Sequence, residues 1–136
     1  MNVIIDCDAL LGLFNIKDFH HQKAVKLIKK CVNEGINIFI LPTTLAEFAL
    51  LSSYKIGVRQ AKKAVVALVS SDYLTLDITT EITKEAVSLY EKQTSKEESL
   101  FDCLVMVATE KLTCDGIFSF DKGYRKNGFS LLEDIV

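Results

Sequence analysis

The chain has 136 residues, of which 49% are apolar and 25% charged, a profile that excludes a disordered chain, a collagen-like fibre and a small disulfide scaffold. Its 16 Lys and Arg residues and 18 Asp and Glu residues give a formal net charge of −2, so no general basic field points to a nucleic-acid partner. Such a partner requires a local basic patch. The length predicts a single domain over residues 1–136.

The four cysteines lie in apolar stretches, without a CxxC pair and without a histidine at zinc spacing. Cysteines of this kind behave as small core residues and indicate a reducing compartment. No apolar run approaches the length of a membrane span, and the segment from Met1 to Asp6 lacks the basic start of a signal peptide. We therefore expect a cytoplasmic protein with no membrane association.

The first half of the chain predicts two strands and four helices. Short runs in which every residue is apolar are typical of strands buried on both faces, as in parallel sheets. Apolar residues three and four positions apart indicate helices instead. Gly35 suits a helix end, and Pro42 suits the first turn of a helix. The predicted elements are a strand at 3–5, a short helix at 10–14, a helix at 20–33, a strand at 36–41, a helix from 42 to about 54 and a helix at 58–70.

The second half continues the alternation of strands and helices. Its predicted elements are a weak strand at 73–76, a helix opened by Thr79, a polar mobile loop at 91–99, a buried helix at 100–112 and strands at 117–120 and 129–132. Alternating strands and helices predict an α/β fold. We expect a three-layer sandwich in which helices flank a central parallel sheet.

Four acidic residues are predicted to meet at one edge of that sheet, where ligands of α/β folds bind. Asp6 directly follows the first strand, Asp121 follows the strand at 117–120, and Glu47 lies in the helix after the second strand. Asp102 lies in an otherwise apolar stretch, where a lone carboxylate is costly unless a metal or a hydrogen-bond donor compensates it. Because such a cluster repels itself, it requires protons, basic partners or a divalent cation.

Each acid also has a purely structural interpretation. Thr44 to Glu47 and Ser99 to Asp102 both have the spacing of a helix capping box, and Asp6 and Asp121 suit the caps of turns. Asp8 is ambiguous because it lies two residues from Asp6. The other aspartates are expected at the surface or in turns: Asp18, Asp72, Asp77, Asp115 and Asp134.

The order and spacing of these motifs resemble the PIN domain over essentially the whole chain. The similarity is closest to the small PIN ribonucleases that include VapC-type toxins. It rests on four segments: the run Val3-Ile4-Ile5-Asp6-Cys7-Asp8-Ala9-Leu10, Leu41-Pro42 to Glu47, Leu100-Phe101-Asp102 with Ala108, and Ser119-Phe120-Asp121. Cys7 and Cys103, each beside an acid, depart mildly from the family pattern.

The resemblance implies a carboxylate pocket that binds Mg²⁺ or Mn²⁺. Asp6, Glu47, Asp102 and Asp121 match the acidic positions of the family and are its implied catalytic and metal-binding residues. Ser119 matches the small hydroxyl residue two positions before the last Asp, and Asp8 matches a position that is usually Ser, Asn or Asp. The resemblance also implies RNA as substrate, an antitoxin protein as partner and a homodimer.

The chemistry of these residue types agrees with metal-dependent hydrolysis of a phosphodiester. Mg²⁺ prefers oxygen ligands, and a few carboxylates suffice to hold it. His20 and His21 lie away from the acidic motifs, so a histidine base is not indicated. The residues predicted to bind the RNA backbone are Ser119 and the basic cluster Lys122, Arg125 and Lys126, although a solvated turn also explains that cluster.

Two other functions agree with parts of the pattern. Asp6-Cys7-Asp8 after an apolar strand matches the start of a haloacid-dehalogenase-type phosphatase, in which Asp6 would be the nucleophile. A PIN-like scaffold that binds RNA or protein without cutting it is the non-enzymatic alternative. Binding of Mn²⁺ separates the nuclease from the scaffold.

Overall fold

The computed structural model describes residues 1–71 and 73–136. In these residues it has four strands, each followed by two helices. In chain order the elements are β1 (Asn2–Ile5), α1 (Cys7–Phe14), α2 (His21–Glu34), β2 (Asn37–Ile40), α3 (Pro42–Lys55), α4 (Val58–Val69), β3 (Leu74–Thr75), α5 (Thr80–Lys92), α6 (Leu100–Lys111), β4 (Gly116–Phe118), α7 (Gly123–Lys126) and α8 (Leu132–Ile135). Asp72, expected at the surface, lies outside the described residues.

The strands form one parallel sheet in the order β3-β2-β1-β4. Ile4 of the central strand β1 is aligned with Phe39 on one side and with Ile117 on the other. Because all four strands run in the same direction, their carboxyl ends lie along one edge. The predicted central parallel sheet is confirmed.

Each face of the sheet is covered by helices, because successive side chains of a strand point to opposite faces. Val3 and Ile5 pack with residues of α1 to α4, among them Leu10 and Phe48. Ile4 packs on the other face with residues of α5 and α6, among them Ile82, Met106 and Val107. The fold is therefore the three-layer α/β sandwich that the sequence predicts.

Local signals place several helix ends as predicted. Gly35 ends α2 in the left-handed conformation, with φ of 65°, and Pro42 is the first residue of α3. Thr79 caps α5 by accepting a hydrogen bond from the Ile82 N–H at 3.2 Å. The first helix begins earlier than predicted, at Cys7 instead of residue 10, because the Asp6 side chain caps it.

The predicted strand at 129–132 is wrong. Only a single parallel bridge joins Leu131 to Ile117, and α8 begins at the next residue. The Asp134 carboxylate accepts from the Leu131 N–H at 3.0 Å, while the Asp134 N–H donates to the Leu131 carbonyl at 2.9 Å. This reciprocal pair turns the chain into a helix where the apolar run alone predicts a strand.

The two predicted capping boxes have different outcomes. The Thr44–Glu47 box is wrong because the residue that precedes α3 is Leu41, three positions before Thr44, which leaves Thr44 buried inside the helix. The Ser99–Asp102 box is confirmed at the start of α6. None of the helices in the described part of the chain is long and apolar enough to cross a membrane.

Candidate active site

Five acidic side chains lie near one another at the carboxyl edge of the sheet. Asp6 follows β1 and its N–H donates to the Phe118 carbonyl of β4 at 3.0 Å, which ties the two strand ends together. Asp8 lies in the first turn of α1. The other three acids are Glu47 in α3, Asp102 in α6 and Asp121 after β4.

The Tyr124 hydroxyl joins two of these acids. It donates to the Asp6 carboxylate at 2.6 Å and lies 3.3 Å from the Asp102 carboxylate. Asp6 is 5% exposed and Tyr124 is 2% exposed, so this bridge is shielded from water. The first residue of α1 completes the contacts of Asp6, because the Cys7 N–H donates to its second carboxylate oxygen at 2.7 Å.

The capping box of α6 fixes the orientation of Asp102. One Asp102 oxygen accepts from the Ser99 N–H at 2.7 Å, and the Ser99 hydroxyl accepts from the Asp102 N–H at 3.3 Å. The second oxygen is the one that faces Tyr124. A single carboxylate therefore caps the helix and also reaches the acidic cluster, so the structural and functional interpretations of Asp102 are compatible.

Asp8 belongs to the same cluster, a point that its sequence position left open. One of its oxygens accepts from the Phe120 N–H at 2.8 Å. Burial raises the pKa of Asp8, and its interaction with the Ser119 side chain opposes that shift. The other oxygen is buried and has no hydrogen-bond partner among the described residues. Ser119 is itself 2% exposed and accepts from the Asp121 N–H at 3.1 Å. Ser119 therefore interacts with two acidic residues of the site.

Glu47 and Asp121 lie at the rim of the cluster. Glu47 is half-buried; burial raises its pKa, and the charges of Asp102 and Asp8 add to that shift. Asp121 is exposed, and one of its oxygens accepts from the Gly123 N–H at 2.8 Å. Burial likewise raises the pKa of Asp8 and of Asp102, and the charge of Asp121 adds to both shifts.

The electrostatics of the cluster disfavour charged carboxylates. Burial raises the pKa of Asp6 to about 8, and the charges of Asp8 and Asp102 add to that shift against the hydrogen bonds from Tyr124 and Cys7. Burial is also the largest cause of the raised pKa of Asp8, Glu47 and Asp102, and the charges that add to it come from other acids of the cluster. The same burial and acids hold the pKa of Tyr124 well above its usual value, so its hydroxyl stays a donor.

Sequence reasoning missed two residues of this site. The sequence pattern does not single out Tyr124, although its position three residues after Asp121 is a local signal. Glu98 falls within the polar loop predicted at 91–99. It lines a narrow cleft with Asp102, Asp121 and Tyr124, and one of its oxygens is buried without a hydrogen-bond partner among the described residues. Its other oxygen accepts from Asn127 at 3.0 Å.

The basic residues after Asp121 divide into two kinds. Lys122 and Lys126 are exposed at the two ends of α7. Arg125 instead forms a bidentate ion pair with Asp134, with hydrogen bonds of 2.7 and 2.9 Å, and donates to Glu133 at 2.6 Å. Its guanidinium ties α7 to α8, and its contact with RNA stays a prediction.

The oxygen donors of the cluster suit a hard divalent cation. The buried unpartnered oxygen of Asp8 and the mutual repulsion of Asp6, Glu47 and Asp102 are both relieved by positive charge. In residues 1–71 and 73–136, however, no three His, Cys, Asp or Glu side chains already form a set of metal ligands.

A solved structure has the same architecture. The crystal structure of Mycobacterium tuberculosis VapC20, a toxin that cleaves the sarcin-ricin loop, superposes on the chain with a TM-score of 0.85. The similarity covers 94% of this chain and 96% of that one, at 19% sequence identity. The chain has a PIN-domain fold. No protein-family model and no curated protein sequence matches the chain.

The PIN fold accounts for the position of the acids, since it brings the carboxyl ends of β1, β2 and β4 to one edge. Both oxygens of Asp6 accept hydrogen bonds in a buried position, which is unfavourable for the phosphatase alternative, whose nucleophile must reach a phosphate.

Proposed function

We propose that the protein is a metal-dependent endoribonuclease that hydrolyses RNA phosphodiester bonds at the carboxylate cluster. The observation that carries the proposal is the convergence of acids from four separate chain segments on one edge of a PIN fold, where they repel one another. Structural caps alone do not require this convergence. The RNA-cleaving activity named for the similar toxin supports the same reaction class.

Asp6, Glu47, Asp102 and Asp121 are the proposed catalytic residues and would hold Mg²⁺ or Mn²⁺. When bound, the cation supplies the positive charge that polarises the phosphate and activates water. Asp6 and Asp102 are held in place by Tyr124 and Ser99, and the backbone of α1 fixes the second oxygen of Asp6. Preorganised acids of this kind need little rearrangement during the reaction.

Lys122 and Lys126 are the proposed contacts with RNA phosphates. They are exposed and lie on the short helix that follows Asp121, so a backbone phosphate bound there lies beside the carboxylates. Arg125, whose Nε and Nη2 groups also pair with Glu133 and Asp134, is a further proposed contact. Ser119, which accepts from the Asp121 N–H, is the fourth proposed contact with the substrate.

Cleavage of purified structured RNAs in Mn²⁺, compared with the same reaction in EDTA, tests the proposed function. We expect internal cleavage in Mn²⁺ and none in EDTA. Thermal unfolding gives a second readout: Mn²⁺ at 100 times its Kd adds about 2.7 kcal/mol to stability, and therefore raises Tm. A melting curve that Mn²⁺ does not move, with RNA bound but uncut, would support the scaffold instead.

An antitoxin protein is the proposed partner, as the toxin class of the similar structure suggests. A basic side chain that enters the cluster would neutralise several acids at once and compete with the cation. Excess Mn²⁺ should then weaken the complex. Exposed apolar side chains on α3 and α4, among them Leu50, Val58 and Val66, support the proposed homodimer. Analytical ultracentrifugation would measure the molecular mass in solution and so test this proposal.

A further inference from the structure

A row of aromatic rings leads from the core to the surface beside the carboxylate cluster. The ring centroids of Phe118 and Phe120 are 6.2 Å apart, in an edge-to-face contact. The Phe120 ring stacks on His20 at 4.3 Å with an interplanar angle of 11°, and Phe19 meets His20 edge-on at 5.0 Å. We call these four rings the ring row. It starts in the core at Phe118, continues through Phe120 and His20, and ends in solvent at Phe19.

The inner part of the ring row is tied to the acids. Phe120 stands between Ser119 and Asp121 in the chain, and its N–H donates to the Asp8 carboxylate at 2.8 Å. The Lys23 ammonium lies 5.7 Å from the centre of the Phe120 ring and pairs with Glu133. The backbone of Phe120 therefore contacts the cluster directly while its ring stacks on His20, so an RNA strand bound at the cluster can extend along the ring row toward Phe19.

The outer end of the ring row is the solvent-exposed ring of Phe19, on a backbone held by hydrogen bonds. Phe19 is 94% exposed although its segment is well ordered by hydrogen bonds. The Asp18 carboxylate accepts from the His20 N–H at 2.8 Å, and the His21 ring nitrogen contacts the Gly12 carbonyl at 2.7 Å. A further turn, between Asn15 and Asp18, is closed by a backbone hydrogen bond of 2.9 Å. The molecule thus holds an aromatic side chain in water where a polar one would be less costly.

We propose that Phe19 is a stacking site for an unpaired base of the RNA whose phosphate is bound at the carboxylate cluster; the inference rests on the proposed ribonuclease function. Every base has a π-face, and exposed aromatic side chains beside a backbone-binding site are the usual platform for unpaired nucleotides. The preferred substrate is therefore RNA with unpaired bases next to the cleaved bond, such as a loop. Lys17, exposed in the same segment, supplies a cation for the adjoining phosphate.

The absence of tryptophan from the sequence makes a direct test available. F19W places a single tryptophan at the end of the ring row and keeps an aromatic face. Single-stranded RNA, added in EDTA so that it is not cut, should quench the fluorescence of that tryptophan. The matched control is I16W, since Ile16 is 79% exposed in the same segment and is not one of the four residues of the ring row. RNA should leave its fluorescence largely unchanged.

Binding measurements give the size of the effect. Stacking on one aromatic side chain contributes enough that F19A should weaken RNA binding about 5- to 150-fold, whereas I16A should have little effect. F19W should restore binding. An RNA with one abasic nucleotide near the cleaved bond should bind wild type more weakly than intact RNA, and F19A should lose that discrimination. Neither alanine variant should lower Tm, because both side chains are exposed.

The outcomes separate this inference from the function on which it rests. If wild type cuts RNA in Mn²⁺ while F19A binds and cuts equally well, the stacking site is wrong and the ribonuclease stands. If F19A and I16A weaken binding equally, a general apolar contact replaces stacking and the proposal is overturned. If wild type neither binds nor cuts RNA, both proposals fail, and a protein partner becomes the candidate occupant of Phe19.

Discussion

The aspartates at the two ends of the parallel sheet have opposite surroundings. At the amino end, Asp115 accepts from the Asn2 N–H at 2.7 Å, and the Asn37 side chain donates to Asn2 at 2.9 Å. One exposed carboxylate there faces amide donors. At the carboxyl end, Asp6, Asp8 and Asp102 are buried or half-buried beside one another. An acid that accepts hydrogen bonds from another strand helps to hold the strands together. Neighbouring acids instead repel one another, and a bound cation can relieve that repulsion.

The largest expected effect is on RNA cleavage by amide variants at the two ends. D6N and D102N should lower the rate by at least about 100-fold, because even partners that only orient a metal ligand contribute about 10- to 100-fold. D115N should cut at the wild-type rate, since the amide oxygen still accepts from Asn2. Initial rates at saturating Mn²⁺ measure this difference. Equal losses for D102N and D115N would remove the distinction between the two ends.

Tyr124 offers a sharper test of the acidic end, because Y124F removes a single hydroxyl. The variant should lose about 1 to 2 kcal/mol of stability with the hydrogen bond to Asp6. Its affinity for Mn²⁺ should fall by about 10- to 100-fold, because the hydroxyl that orients a proposed metal ligand is lost. Calorimetric titration measures the affinity and urea unfolding the stability. Y54F is the matched control, since Tyr54 is 80% exposed, and an identical profile for the two variants would contradict the role of Tyr124.

Burial of the acids at this end of the sheet, with their mutual repulsion added, predicts a pH-dependent stability. The pKa of Asp6 is about 8 in the folded protein, against about 4 when unfolded, so between these values the folded state binds more protons. The free energy of unfolding in EDTA should therefore fall as pH rises from about 4 to about 8 and level off above it. D6N should flatten this slope and be the more stable protein at pH 8 by at least about 1 kcal/mol. Parallel slopes for D6N and wild type would mean that Asp6 ionises freely.

The smallest effect concerns the two helix caps. S99A and T79A should each cost about 1 kcal/mol, because each removes the cap of one helix. Only S99A should also weaken Mn²⁺ binding, since only Ser99 holds an acid of the cluster, Asp102. Thermal unfolding with and without Mn²⁺ separates the two contributions. If both variants respond equally to Mn²⁺, the Ser99 box serves the helix alone.

Sequence patterns determined the layers of the fold and the edge at which the acids meet. Apolar runs such as Val3–Ile5 are buried on both faces, and the direction of a parallel sheet then places the residues that follow its strands together. Periodicity and caps likewise located most helices. These signals depend on neighbours a few residues apart, so they can be read along the chain.

Tertiary structure decided which side chains meet within that edge. The Tyr124 hydroxyl reaches Asp6 across 118 positions of sequence, and the Asp8 carboxylate reaches the Phe120 N–H across 112. Arg125 forms ion pairs with the acids of α8, and Phe19 is exposed to solvent at the end of the ring row. Local pattern cannot specify such contacts, because each depends on how separate helices pack against the sheet and on which donors that packing leaves within reach of a carboxylate.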